Sequence, residues 1–300
     1  MRVFLTGATG FIGSRILPEL LAAGHQIRGL TRSESGAEML AAAGAEAHLG
    51  TLEDLDSIRA GAADADAVVH TAFDHDFANF AANCEKDRRV IAALGSVLKG
   101  SARPLLITSG TGMGDAGDGR PASEEVYNPH QPNPRALSEV AAQALLEDGV
   151  NISVIRLPQV HDRAKQGLIS PYIDISREKG SVAYVGDGSN RWPAAHVLDV
   201  AKVYALALDH CEAGARYHAV AEEGITARAI AEVVAARLDL PVVSLSPGEA
   251  ADYFGWFAMF ASLDMPAAST QTRARLGWHP KGPTLLDDLR NMEPPAMAGR

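Results

Sequence analysis

The stretch TGATGFIGSR, residues 6–15, decides the fold. It follows a short apolar strand, RVFLT (2–6), and opens a helix carrying Ile16, Leu17, Leu20 and Leu21 on one face, with Pro18 predicted to bend it. A G-x-x-G-x-x-G between a strand and a helix is the fingerprint of a dinucleotide-binding unit. Gly7 permits the tight turn, Gly10 lets the backbone approach a pyrophosphate, and Gly13 lets the helix pack on the strand. The backbone of Thr9, Phe11 and Ile12 completes this cradle, because free N–H groups at a helix start attract phosphate.

Outward from the loop, strands and helices alternate. QIRGLT (26–31), EAHL (46–49), AVVHT (67–71), PLLIT (104–108) and ISVIRL (152–157) read as strands, with helical patterns near 36–43, 53–61, 80–99 and 135–147. Near-continuous apolar strands separated by helices imply a parallel sheet covered on both faces. Right-handed crossovers then give an α/β, doubly wound Rossmann sheet. After residue 157 the rhythm loosens. A helix near 197–209 and a strand RYHAV (216–220) return to the first domain, and Thr226 caps a helix with Ile230, Val233, Val234 and Leu238 on its apolar face. The expected division is a Rossmann domain over 1–157, a returning segment near 192–220, and a smaller substrate-binding lid over 158–191 and 221–300. The tail from about 246 reads as irregular, with a frayed PPAMAGR end.

The bulk numbers exclude several classes. With 47% hydrophobic and 21% charged residues, the 300-residue chain has an ordinary globular composition. A net charge of −10 argues against nucleic acid or an anionic membrane surface as partner. Two cysteines, Cys84 and Cys211, without a C-x-x-C, suggest neither a disulfide framework nor a metal site. The run DHD (74–76) cannot turn three adjacent side chains onto one ion, so no metal is expected. Met1 leads almost at once into apolar VFL, with no room for a signal peptide, and no apolar run approaches a bilayer span. The expectation is a cytoplasmic protein.

The glycine spacing resembles the short-chain dehydrogenase/reductase superfamily, and TGATGFIG resembles its extended branch, the NAD-dependent epimerase/dehydratase family. AVVHTAF (67–73) resembles the family's fourth-strand segment, which brings Thr71 and Ala72 to the cofactor. RLPQVH (156–161) resembles the loop that holds the nicotinamide, with Leu157 and Val160 as contacts. WPAAHVLDVAKVYALAL (192–208) and LGWHP (276–280) also match, so the resemblance covers nearly the whole chain. It implies NAD(P)-dependent oxidoreductase chemistry on a small molecule and a homodimer built on the 80–99 and 135–147 helices, with Val90, Val140 and Ala144 near the seam.

The second strand ends in Thr31, followed by Arg32 and Ser33, where NAD-specific relatives place an acid for the ribose hydroxyls. An acid would repel a 2′-phosphate and Arg can grip it, so NADP(H) is favoured over NAD(H). Thr51 and Leu52 border the adenine, although the family often has Asp in place of Thr51.

The catalytic set departs from the family. Ser109, in ITSGTGMGD (107–115), matches the Ser that hydrogen-bonds the reacting oxygen. The family's Tyr and Lys, four apart at the start of the 135–147 helix, are replaced by Arg135 and Glu139. Arg has no usable proton at neutral pH. The two residues can pair with each other at i, i+4, or Glu139 can accept from ribose hydroxyls. Asp87 stands near a structural Asn of the relatives. Tyr127, His130 and His161 are the candidate substitute proton donors, each also readable as an ordinary loop residue. Two readings result: an NADP(H)-dependent oxidoreductase with a non-standard proton donor, acting on a carbonyl, imine or conjugated double bond, or a non-catalytic NADP(H)-sensing protein on the same fold.

Overall fold

The computed structural model describes residues 1–293, so PPAMAGR (294–300) lies outside the described residues. The elements in chain order are β1 (Arg2–Thr6), α1 (Gly13–Ala22), β2 (Gln26–Thr31), α2 (Glu34–Ala42), β3 (Glu46–Leu49), α3 (Leu55–Ala63), β4 (Ala67–His70), α4 (Phe80–Leu98), β5 (Leu105–Gly110) and α5 (Ala136–Glu147). They continue with β6 (Ile152–Leu157), β7 (Gln159–His161), α6 (Ile169–Lys179), β8 (Val182–Val185), β9 (Arg191–His196), α7 (Val197–His210) and β10 (Arg216–His218). The remainder are β11 (Glu222–Thr226), α8 (Ala227–Leu238), β12 (Val242–Leu245), α9 (Ala250–Phe254), α10 (Ala258–Ala261), α11 (Thr270–Leu276) and α12 (Leu285–Arg290).

Seven strands form one parallel sheet in the order β10-β6-β5-β4-β1-β2-β3. This is the doubly wound order, with the strand sequence reversing beside β1 and β4. The apolar face of α1 is the one expected: Ile16, Leu17 and Leu20 are buried against the sheet beside α7. The helix runs unbroken through Pro18. On the opposite face Phe4, Val68, Ile107 and Val154 meet the inner sides of α3, α4 and α5. Local capping follows the sequence, since Ser33, Asp54 and Thr226 accept backbone N–H groups at the starts of α2, α3 and α8.

Pro158 separates β6 from β7. A proline has no N–H to extend a ladder, and there the chain leaves the large sheet. β7 joins β9 and β11 in a three-stranded sheet. This sheet, with α6, α8, α9, α10 and α12, encloses a second core containing Trp192, Phe254, Phe257, Phe260 and Leu285. The chain then returns, with α7 packed beside α1 and β10 paired with β6 at the sheet edge.

Two expectations need correction. The segment after 246 is not irregular. It folds into four short helices because Phe254, Phe257, Phe260, Leu276, Leu285 and Leu289 supply anchors for burial. Val90 cannot lie at a dimer seam, since it is fully buried between α4 and the sheet. Val140 is half-buried and Ala144 exposed on α5. Among the described residues, no helix is long and apolar enough to cross a membrane.

Candidate active site

Alternation along a strand sends every second side chain to the same face. At the carboxyl edge of the large sheet this rule places Thr6, His70, Ser109, Arg156 and His218 on one face, the one covered by α4 and α5, with Thr6 and His70 in one row and Ser109, Arg156 and His218 in the next. All five are buried. A buried polar group needs a partner, and four of the five have one.

Asp87 of α4 supplies the first anchor. Its Oδ1 accepts from His70 Nε2 at 3.0 Å, and its Oδ2 accepts from Ser138 Oγ and from Arg135 Nη1, each at 2.6 Å. A carboxylate has no proton to give, so His70 carries its hydrogen on Nε2, and Thr6 Oγ1 donates to His70 Nδ1 at 2.7 Å. Burial alone would push the Asp87 carboxyl up. The Arg135 guanidinium and the His70 and Ser138 hydrogen bonds outweigh it and hold the group far below the usual carboxylate range.

Arg135 is locked on three sides. Besides Asp87, its Nη1 donates to Ser138 Oγ at 2.6 Å, its Nη2 donates to the Thr108 carbonyl at 2.7 Å, and its guanidinium lies 4.2 Å over the Phe73 ring. These bonds use three of its five N–H groups. The Nε–H and one Nη2–H have no acceptor among the described residues.

Glu139 belongs to a different cluster. Its Oε1 and Oε2 accept from Nε and Nη2 of Arg156 at 2.7 and 2.6 Å, and Arg216 approaches Oε2 at 3.4 Å. Arg156 is completely buried and also donates to the Ser123 and Val126 carbonyls. Its Nη1 donates to His218 Nε2 at 3.2 Å, and His218 Nδ1–H donates to the Ala268 carbonyl. Burial, reinforced by the Arg156 cation, pushes His218 down to about 3. This corrects both readings of Glu139. It does not pair with Arg135, and its carboxylate is closed to a ribose because it is buried around Arg156, out of reach of solvent.

Ser109 is the exception among the five. Its Oγ is buried and has no hydrogen-bond partner among the described residues. It lies one residue beyond Thr108, whose carbonyl holds Arg135. The following Gly110 and Gly112 face open space.

The glycine loop has the form a dinucleotide requires. Gly7 has φ +72°, and a Cβ there would stand 2.7 Å from Thr71 Oγ1 and 2.8 Å from Ala72 N. A Cβ on Gly13 would fall 2.0 Å from the Gly7 carbonyl oxygen. Among the described residues, the N–H groups of Phe11, Ile12 and Gly13 have no acceptor at the start of α1. Backbone donors of this kind fit a pyrophosphate. Thr9 and Gly10 are exposed beside them. At the end of β2, Thr31 is buried with its hydroxyl turned into the turn toward Ser33, whereas Arg32 is exposed and makes no ion pair among the described residues. Thr51 and Leu52 are half-buried after β3, Thr51 accepting from Asp54 N. Leu157 is half-buried, and the Val160 side chain is in the core, which leaves only its backbone to face a ligand.

The Tyr127 ring lies under the guanidinium of Arg216, which comes from edge strand β10, at 4.7 Å. Burial pushes its phenol above the ordinary range, with Arg216 opposing. His130 is exposed, and His161 is wholly buried with Nδ1 on Asp288 Oδ2 at 2.7 Å. Sequence reasoning did not find the aromatic row. Phe73, Phe80 and Phe77 lie in succession between β4 and the start of α4, and Phe77 stacks on the exposed Trp256, which follows α9, at 5.0 Å and 10°. The signal was present in FDHDFANF (73–80), where three Phe accompany a sheet edge.

A sequence model of the NAD dependent epimerase/dehydratase family matches residues 3–221. The chain belongs to this family. Family and fold make it an NAD(P)-dependent oxidoreductase. An uncharacterized protein of Schizosaccharomyces pombe is 46% identical over 96% of this chain and 98% of its own length. A Stigmatella aurantiaca enzyme named 4-hydroxy-2-methyl-3-oxo-4-farnesyl-3,4-dihydroquinoline-1-oxide ketoreductase is 42% identical over 72 residues, 24% of this chain and 22% of its own. The Thermus thermophilus UDP-glucose 4-epimerase, solved with NAD, superposes with a TM-score of 0.75 over 97% of both chains at 22% identity, which shows the shared fold.

Proposed function

We propose that this family member is an NADP(H)-dependent reductase of a small carbonyl, imine or conjugated double bond, in which the proton does not come from a Tyr–Lys pair. The observation that carries the reading is Ser109: a buried hydroxyl without a partner among the described residues, at the carboxyl end of a central strand, where ligands bind in sheets of this type. A bound nicotinamide supplies the hydride chemistry. Phe11, Ile12 and Gly13 hold the pyrophosphate by backbone N–H groups. Arg32, free at the end of β2 beside the capped start of α2, takes the 2′-phosphate. Ser109 donates to the substrate oxygen. Glu139, sealed by Arg156, takes no part in proton transfer.

The test is NADPH and NADH binding followed by nicotinamide fluorescence, then a panel of ketones, imines and enones with NADPH read at the nicotinamide absorbance. Turnover of a panel member with tighter binding of NADPH supports the reading. Tight NADPH binding with no turnover anywhere in the panel replaces it with the non-catalytic sensor. We further propose a homodimer through the outer sides of α4 and α5, where Ala144 is exposed. A dimeric mass by light scattering at micromolar concentration supports this, and a monomeric mass rejects it.

A further inference from the structure

Arg135 stands at the start of α5 with two N–H groups unused, its guanidinium fixed by Asp87, Ser138, the Thr108 carbonyl and Phe73. Ser109 Oγ, also without a partner, follows Thr108 directly. Both groups are donors and neither is a usable acid at neutral pH. Together they suit a developing oxygen anion, which preorganised donors in a dry site stabilise without proton transfer.

The surroundings narrow the substrate. Phe73 carries Arg135 on its face, and the aromatic row continues through Phe80 and Phe77 to Trp256, which is 45% exposed at its outer end. Aromatic faces pack well on flat π-systems. A saturated ketone that accepts hydride becomes an alkoxide, a strong base that needs an acid at once. A conjugated carbonyl becomes an enolate, whose charge is shared with carbon and which an arginine can hold until water protonates it.

We infer that Arg135 and Ser109 form an oxyanion site for a planar α,β-unsaturated carbonyl compound, with Arg135 acting by charge where the family's Tyr acts by proton. The inference rests on the proposed cofactor reading. The β-carbon of the substrate gains hydride, two electrons with one hydrogen, from a reduced nicotinamide, which is oxidised. The C=C electrons shift to make the enolate, its oxygen held by Arg135 and Ser109. Water then protonates the carbon next to the carbonyl, and the hydroxide formed takes a proton from solvent. One substrate, one reduced nicotinamide and one proton give the saturated carbonyl compound and the oxidised nicotinamide.

The probe is 4-nitrophenol, whose phenolate is a flat, delocalised oxygen anion with its own absorbance, titrated into protein saturated with NADP+. The expected result is binding of the phenolate about tenfold or more tighter than the phenol, the scale of one charge-assisted hydrogen bond. Arg135→Gln should remove that preference. Because this variant leaves Asp87 buried without its cation, the double variant Asp87→Asn/Arg135→Gln is measured beside it, with NADPH fluorescence confirming a folded cofactor site. In turnover, trans-4-phenyl-3-buten-2-one should be reduced at its double bond in preference to the saturated 4-phenyl-2-butanone, and deuterium from heavy water should appear beside the carbonyl. If NADPH binds but phenolate is not preferred, if the double variant keeps the preference, or if the saturated ketone reacts equally fast, the oxyanion inference is overturned and the cofactor reading stands. If NADPH does not bind, the cofactor reading fails and this inference falls with it.

Discussion

Two clusters of buried charge lie side by side under the carboxyl edge of the sheet, and α5 feeds both. In one, Asp87 gathers His70, Ser138 and Arg135, and the cation retains unused donors. In the other, Glu139 meets Arg156 in a two-bond fork, and the remaining Arg156 donors end on two carbonyls and His218. In hydrogen bonding the first cluster is open, with two Arg135 N–H groups unpaired among the described residues, and the second is closed, with all five Arg156 N–H groups paired. Their residues are one helical turn apart, and charge type alone does not separate them. What separates them is how many hydrogen bonds remain unmade.

The closed cluster should respond as structure. Removing one partner of a buried ion pair costs about 3–5 kcal/mol, because the other charge stays buried and uncompensated. Glu139→Ala should therefore lower stability by about that amount in denaturant unfolding. A loss below about 1 kcal/mol, the range of exposed pairs, would break the contrast.

The open side should respond as function. Ser109→Ala removes a hydroxyl without a hydrogen-bond partner among the described residues, so the unfolding midpoint should stay where it is. Turnover at saturating cofactor should fall about 10²–10³-fold, the usual cost of one oxyanion donor. An unchanged rate, or a large drop in stability, would place Ser109 with the structural residues.

Arg32 lies outside both clusters and is the simplest cation to remove. Arg32→Ala should weaken NADPH binding by about 1.5–3 kcal/mol, the worth of a hydrogen bond to a charged group, and leave NADH binding as it was. Calorimetric titration of both cofactors reads the difference, and an equal loss for both would remove the 2′-phosphate assignment.

The smallest effect per step is with pH. Native His218 stays neutral down to about 3, whereas an unfolded His protonates near 6.5. Between those values the unfolded chain binds the extra proton. Stability from this group is therefore complete above 6.5 and declines as pH falls, by at most about 1.4 kcal/mol per unit. Asp87 has the opposite chemistry but the same sign: its depressed value holds its contribution intact until pH falls through the ordinary carboxylate range near 4. The closed cluster should loosen first on acidification. His218→Gln should flatten the stability slope between pH 6.5 and 4.5, and an unaltered slope would show that another group governs it.

Much of the fold was legible in short windows. The glycine loop, the capping residue Thr226, and the apolar face of α1 are local patterns read within about ten residues. The short helices after residue 246 were not legible, because their anchors Phe254, Phe257 and Leu285 are explained only by the core they share with Trp192 and Ile230. The site divided in the same way. Ser109 and the loop at 7–13 stand out by type and place, whereas the cation over the Tyr127 ring, Arg216, comes from a strand far along the chain that no short window links to it.

TGATGFIGSR and the alternating strands by themselves determined a parallel Rossmann sheet with a dinucleotide cradle, because turn geometry and strand burial are set by neighbours along the chain. Only the tertiary structure decided what Arg135 and Glu139 do. Four residues apart, they read as a helix-surface pair, worth about 0.2–0.5 kcal/mol when exposed. Packing α5 onto the sheet buried Glu139 and most of Arg135, and a charge withdrawn from water cannot be satisfied by so weak a contact. Asp87, 48 residues from Arg135, and Arg156, 17 residues from Glu139, offered fixed hydrogen-bond geometry in a dry interior, and those distant partners prevailed over the near one.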